Sequence, residues 1–311
     1  MTASTYLLSP EWEWLIMLAL FAAGIASGTY AIMGLMHFGG DEGDRPVLDR
    51  MGLVPMPFML LTPILLTLDL GQPLRFLNLL FTSPGAAERP GPIMFNTASP
   101  MSWGSWAMIV FAPFTLVAFL ASLERVRGTT IPLLTPISKA LQGNVIWLVV
   151  GELLALGVSA YSGVLINVTN QGVWSDTYLM GGLFIAFSEL SGIAVAAIIA
   201  GRVGNARTAE GVRNVLFGSA IVSAVLLAVW LANLQALGSF TAIAASLLVG
   251  PVFWIGAVGV AVLLPIVTAG PFGLRVWQRT DQLVILGALV LLGVLAFRYA
   301  TFFSAIAFIQ R

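Results

Sequence analysis

The sequence has no cysteine and a single histidine, His37. No disulfide framework, cysteine-ligated iron–sulfur cluster or ordinary zinc site can be built from it. One histidine also excludes a bis-histidine haem within the protein. A His–Met haem, open on composition because there are eleven methionines, is a minor reading. Charge is scarce as well. Only 9% of the 311 residues are charged and 59% are hydrophobic, whereas soluble domains carry about a quarter charged residues. With a mean hydropathy of +0.96, this is the composition of an integral membrane protein. Its 14 basic and 14 acidic residues cancel, which argues against nucleic acid as a partner. Met1–Pro10 holds no Lys or Arg, so the positive n-region of a signal peptide is missing. The apolar run behind Glu11 and Glu13 is therefore expected to be the first helix of the mature protein.

A span needs about 20 apolar residues, and eight segments qualify: Trp14–Phe38, Met51–Leu68, Met101–Leu123, Val145–Val168, Leu179–Gly201, Val212–Leu237, Ala245–Ala269 and Leu283–Phe303. None alternates in polarity, so a β-barrel is excluded. The expected fold class is an all-α polytopic membrane protein. Lys and Arg set the orientation. Ten of the fourteen follow segments one, three, five and seven: Arg45, Arg50, Arg125, Arg127, Lys139, Arg202, Arg207, Arg213, Arg275 and Arg279. The opposite side holds Arg75, Arg89 and Arg311, and Arg298 lies within the last span. Both termini are thus expected on the outer side, together with the connection 71–100, whose prolines and glycines favour irregular backbone. Within it, Leu74–Phe81 is expected to form a short interfacial helix.

The stretch Asp69-Leu70-Gly71-Gln72-Pro73-Leu74-Arg75-Phe76 ends the second segment on that outer side. Gly71 and Pro73 should stop the helix there. Ionisable groups at the end of a span are a functional-site hypothesis; the bland alternative is a static Asp69–Arg75 ion pair. Inside the spans, Glu152, Glu189 and Arg298 are costly in lipid unless paired or wetted. Pairing that fixes helix packing is one reading, and a proton path between the two faces is the other, with Asp69 and His37 as further candidates. Glu152 should lie about 10 Å from the inner end of segment four, and Glu189 about 15 Å from the outer end of segment five. Tyr161 is deeper than an aromatic-belt residue needs to be, and a phenol in an apolar pocket can donate to a carbonyl oxygen such as a quinone presents. At about 100° per residue, Glu152 and Tyr161 point to opposite sides of their helix.

Trp12-Glu13-Trp14 and Trp103 gather at the same outer edge, where belt packing competes with a binding role. Ser99 or Ser102 can cap the third span. Small residues at Gly24, Ser27, Gly28, Gly181, Gly182, Gly256 and Gly259 read as helix-packing positions. Aromatic walls carrying a few polar groups suit an amphipathic ring such as a quinol head group. With no metal-ligand set in the sequence, an electron donor or acceptor must come from another subunit.

Four stretches carry a resemblance. Asp69–Phe76 resembles the D-L-G-x-P-x-R-F stretch of the polysulfide reductase membrane-subunit (NrfD/PsrC) family. Ser99-Pro100-Met101-Ser102-Trp103-Gly104-Ser105-Trp106 is similar to that family's S-P-M-S-W-G-x-W. Trp12-x-Trp14 followed by Gly24-Ile25-Ala26-Ser27-Gly28 resembles its first helix, and Tyr161-Ser162-Gly163-Val164-Leu165 its fourth. Order and spacing agree over residues 12–190; the last three spans carry no motif. The resemblance implies two four-helix bundles, 12–170 and 179–303, in the cytoplasmic membrane of a prokaryote. It implies a haem-free anchor that binds menaquinone or ubiquinone at the outer end of the first four helices, with Tyr161 as hydrogen-bond donor. Trp12, Glu13, Trp14, Asp69, Arg75 and Trp103 would border that site. The implied partners are an iron–sulfur ferredoxin-like subunit and a molybdopterin-type catalytic subunit on the outer face. Some members place Asn or His where this protein has Ile16 and Ala19, which makes Glu13 or Asp69 the candidate substitute. A secondary transporter using Glu152, Glu189 and Arg298 is the rival reading.

Overall fold

A computed structural model of the protein describes residues 14–81, 93, 95–169, 171–237, 250–270 and 279–309, with side chains to residue 304 of the last helix. Helix dominates because hydrocarbon offers backbone N–H and C=O groups no partner, so each must be satisfied within its own segment. Eight helices in the described residues are long and apolar enough to cross a membrane. Among the described residues no strand forms beyond one isolated bridge, Phe81 to Ile93.

In order along the sequence the helices are α1 (Trp14–Gly39), α2 (Arg45–Met51), α3 (Pro55–Asp69), α4 (Pro100–Arg127), α5 (Leu134–Gln142), α6 (Val145–Asn167), α7 (Met180–Val203), α8 (Ala206–Ala236), α9 (Val252–Ala269) and α10 (Gln282–Ile309). Their ends follow local chemistry. Ser99, Asn144 and Asn205 accept from the N–H groups of Ser102, Trp147 and Thr208, capping α4, α6 and α8. Gly128, at φ +67°, ends α4 in the left-handed conformation.

Three details differ from the expectation. The second span is divided: α2 stops at Gly52, and α3 restarts with Pro55 in its first turn. Leu74–Phe81 gives instead a 3₁₀ helix over Pro73–Leu79, with Leu74 92% exposed. The seventh span opens as a π-helix over Val252–Leu263, in which the N–H of Leu264 reaches back to the carbonyl of Gly259.

Helices α1, α3, α4 and α6 contact one another in a closed ring, and α7, α8, α9 and α10 close a second ring. The rings join along α1 and α7, the two most buried spans. Without a hydrophobic driving force between helices in lipid, that seam depends on small residues. A methyl group at Gly28 would strike the backbone of Ser188, and one at Gly192 the backbone of Gly28. Gly24 and Gly256 face Arg298 and Ala296 as closely. Gly182 is different: nothing lies within 4 Å of where its Cβ would stand. It therefore makes no close helix contact, contrary to the packing role expected for it.

A polar clamp ties the turns at one end of the molecule. Thr208 donates to Asp44 at 2.6 Å, Asn205 donates to the Gly43 carbonyl at 3.2 Å, and Arg207 pairs with Asp41. Arg125 pairs with Asp49 and Lys139 with Glu124, each at 3.1 Å. This is the basic end; Asp69 marks the opposite one.

Candidate functional site

A large cavity opens between α1, α3, α4 and α6 at the Asp69 end, with a volume of about 560 Å³. Helix α3 supplies Met59, Pro63, Leu66 and Thr67 before ending at Asp69, where Leu70 turns to extended backbone (φ −64°, ψ 124°). That turn carries Gly71 across the cavity, and the following 3₁₀ helix returns Phe76 and Leu79 to its wall. Helix α1 contributes Ile16, α4 contributes Met101, Ser105 and Met108, and α6 contributes Tyr161 and Leu165. The wall is mostly aliphatic, with Asp69 and Tyr161 as its ionisable members. Ser105 donates to its own helix at the Met101 carbonyl, 2.9 Å away.

Tyr161 is held where it is by a missing side chain. Its ring lies against Gly104 so closely that a methyl there would overlap the phenol. The same residue lines a second cavity of about 360 Å³, bounded by Thr97, Pro100 and Trp103 of the α4 entrance and by Gly157 and Val164 of α6. Trp103 belongs to this second space. It is 52% exposed, packs edge-on against Phe95 at 4.7 Å and donates from Nε1 to the Thr97 carbonyl at 3.0 Å.

The remaining outer-edge candidates spread apart. Trp14 is half exposed and leans on Tyr299 and Phe303 of α10, with ring centroids 5.3 and 4.9 Å away. It thus connects the two rings and does not line the large cavity. Arg75 is exposed and is absent from the cavity wall. Trp12 and Glu13 lie outside the described residues. Sequence reasoning missed Thr67, Phe76 and Ser105 as wall residues. The spacing within Asp69–Phe76 and Ser99–Trp106 already held two of them, but only the turn geometry tells which side chains face inward.

The buried polar groups form a separate layer. Glu152 projects from α6 onto Gly34 of α1 and shares a cavity of about 150 Å³ with Tyr30 and His37, toward the basic end. Glu152 and Tyr161 thus open into different cavities, as their half-turn phase requires. Oε1 of Glu152 and Oε1 of Glu189 are both buried with no hydrogen-bond partner among the described residues. Arg298 is 2% exposed, donates to Ser188 at 3.1 Å, and has its guanidinium 3.7 Å over the Phe184 ring. Among the described residues, neither Nε nor Nη1 of Arg298 finds a hydrogen-bond partner, and Arg298 and Glu189 form no ion pair. Among the described residues, no group of three or more His, Cys, Asp or Glu is placed to hold a metal ion.

The family model described as "Polysulphide reductase, NrfD" matches residues 6–310. The protein belongs to the NrfD family. The C subunit of polysulfide reductase from Wolinella succinogenes is 26% identical to it, over 96% of this protein and 95% of that relative. In this NrfD-family protein, three of the four stretches that carried the resemblance line the large cavity. Asp69 and Phe76, Met101 and Ser105, and Tyr161 and Leu165 line it directly, while the first-helix stretch runs along α1, which contributes Ile16. Ile16 stands where some NrfD members were expected to place a polar group, so the polarity on that wall falls to α3 and α6.

Proposed function

We propose that the protein is the quinone-reactive membrane anchor of a respiratory oxidoreductase, and that the cavity of about 560 Å³ between α1, α3, α4 and α6 is its quinone site. The observation that carries the reading is the convergence of three of the family's stretches on one aliphatic cavity holding a phenol and a carboxylate. Its volume falls within the roughly 300–1,000 Å³ of small-molecule sites, which are mostly apolar with a few placed polar groups. A quinone ring is apolar on its faces and presents two acceptor oxygens, and these wall residues fit it. When bound, the quinol supplies two electrons and two protons. Tyr161 donates a hydrogen bond to one ring oxygen and fixes the ring against α6. Asp69, at the cavity's edge, accepts the proton that an oxidised quinol releases, or returns one in the reverse direction. The aliphatic wall formed by Met59, Leu66, Met108 and Leu165 excludes water from the ring. The electrons pass to or from an iron–sulfur subunit docked at the Asp69 end, which is the outer face by the charge rule, with a molybdopterin-type catalytic subunit behind it.

On this reading the protein sits in the cytoplasmic membrane of a prokaryote with both termini outward. Glu152, Glu189, His37 and Arg298 are assigned to proton traffic with the basic end.

Replacing Tyr161 by Phe removes one hydrogen bond, worth about 0.5–1.5 kcal/mol. The assembled complex should lose up to about tenfold in apparent quinone affinity or turnover. An unchanged KM and rate for Tyr161→Phe would sink the assignment. Asp69→Asn should slow turnover while quinone still binds, as read by separate titration of quinone binding and rate.

A further inference from the structure

Helix α5 is amphipathic the wrong way round for a helix facing water. Thr135, Ser138 and Gln142 are buried, while Leu133, Leu134 and Ile137 are exposed. An aqueous surface helix would show the reverse pattern. The orientation suits a helix whose outer side meets hydrocarbon and whose inner side meets something polar. Beneath its C-terminal end lies the cavity of about 150 Å³ that Glu152 shares with His37. Three wall atoms there are buried with no partner among the described residues: Oε1 of Gln142, Nε1 of Trp147 and Oε1 of Glu152.

The mixture decides what fills this space. An anion accepts hydrogen bonds only, so it satisfies Trp147 and leaves Gln142 unmet. A metal cation satisfies the oxygens but faces Arg45, Arg125 and Lys139 on the same wall. Water does both jobs. At about 30 Å³ for each molecule, the volume takes about five waters.

We propose that the chamber under α5 is a water-filled proton inlet that connects Glu152 to the aqueous phase at the basic end. A hydronium ion entering it transfers its proton to the Glu152 carboxylate and leaves a water behind. At the rim Arg125 and Lys139 are paired with Asp49 and Glu124, so Arg45 supplies the excess positive charge that disfavours Na⁺ and K⁺. His37, Arg45, Arg125, Lys139 and the phenol of Tyr30 face Glu152 within the chamber, and Glu189 acts on it from α7. This deepens the assignment of Glu152 to proton traffic made above, and it stands apart from the quinone site.

The protein has no cysteine, so introduced thiols can be read singly. Gln142→Cys and Glu152→Cys, in membrane vesicles of known sidedness, would be treated with a membrane-impermeant sulfonate methanethiosulfonate and with its trimethylammonium counterpart. Ile137→Cys, on the lipid-facing side of α5, is the control. Both chamber thiols should react at least about tenfold faster than Ile137→Cys, only from the basic end, and faster with the anionic reagent. Chamber thiols as inert as Ile137→Cys, in protein that keeps the parent's melting temperature, would overturn the inlet. So would reaction from the Asp69 end alone, or a preference for the cationic reagent. Thiol labelling needs neither quinol nor partner. A complex that turns over no quinol would defeat the quinone reading and leave this result standing.

Discussion

Tyr161 shows how one residue depends on the absence of another's side chain. Its ring occupies the space that any Cβ at Gly104 would take, and it forms part of the wall of two cavities. Gly104→Ala should therefore displace the phenol and reproduce the defect of Tyr161→Phe without removing the hydroxyl. The double variant should lose little more than either single one, as expected when two changes break one interaction. Quinone-linked turnover of the four proteins would check this, and simple additivity would separate the two residues. Arg298 poses the opposite problem, a buried guanidinium with two donors unmatched among the described residues. An unsatisfied buried donor costs about 1–3 kcal/mol. Arg298→Met should keep or raise the melting temperature in detergent, and a drop of several degrees would show that the contacts to Ser188 and Phe184 outweigh that cost. At this scale the sequence was partly legible. The depth of Tyr161 and its phase against Glu152 follow from helix geometry. The outward turn of Arg75 follows from backbone angles at Leu70 and Gln72 that no residue type dictates.

Among elements, the α1–α7 seam carries the tightest contacts. Gly28→Leu would drive a side chain into the Ser188 backbone, which cannot retreat without moving a whole span. Overpacking typically costs about 1–3 kcal/mol, so thermal stability should fall clearly. Gly182→Ala in the same seam's second helix, with open space at its Cβ, should cost nothing measurable. A matched loss in both would mean that helix propensity, not interhelical approach, sets their effect. Eight spans were readable because about 20 apolar residues in a row have one economical structure in lipid. The inverted helix α5 was not, since nine residues are too few to register as a span and its apolar side imitates an ordinary core face. The π winding of α9 was invisible for another reason: a segment apolar on every side has no periodicity to betray its pitch.

For the whole molecule, the basic residues converge on one end, where the α1–α2, α4–α6 and α7–α8 turns are clamped together. Both termini and Asp69 should then face outward. Gly71→Cys, a site with nothing within 4 Å of its Cβ, and Glu42→Cys, exposed beside the clamp, should label from opposite faces of the membrane with an impermeant thiol reagent. Labelling of both from one face would overturn the topology.

The seam between the rings also sets a timetable. Its two strips of small residues lie on helices made far apart during synthesis, with about 140 residues between the end of α1 and the start of α7. At roughly 5–20 residues per second, that is about 7–28 s in which α1 waits in the bilayer for its main partner. Gly24 and Gly28 lack the side chains and backbone they pack against for that interval, so α1 is made early and enclosed late.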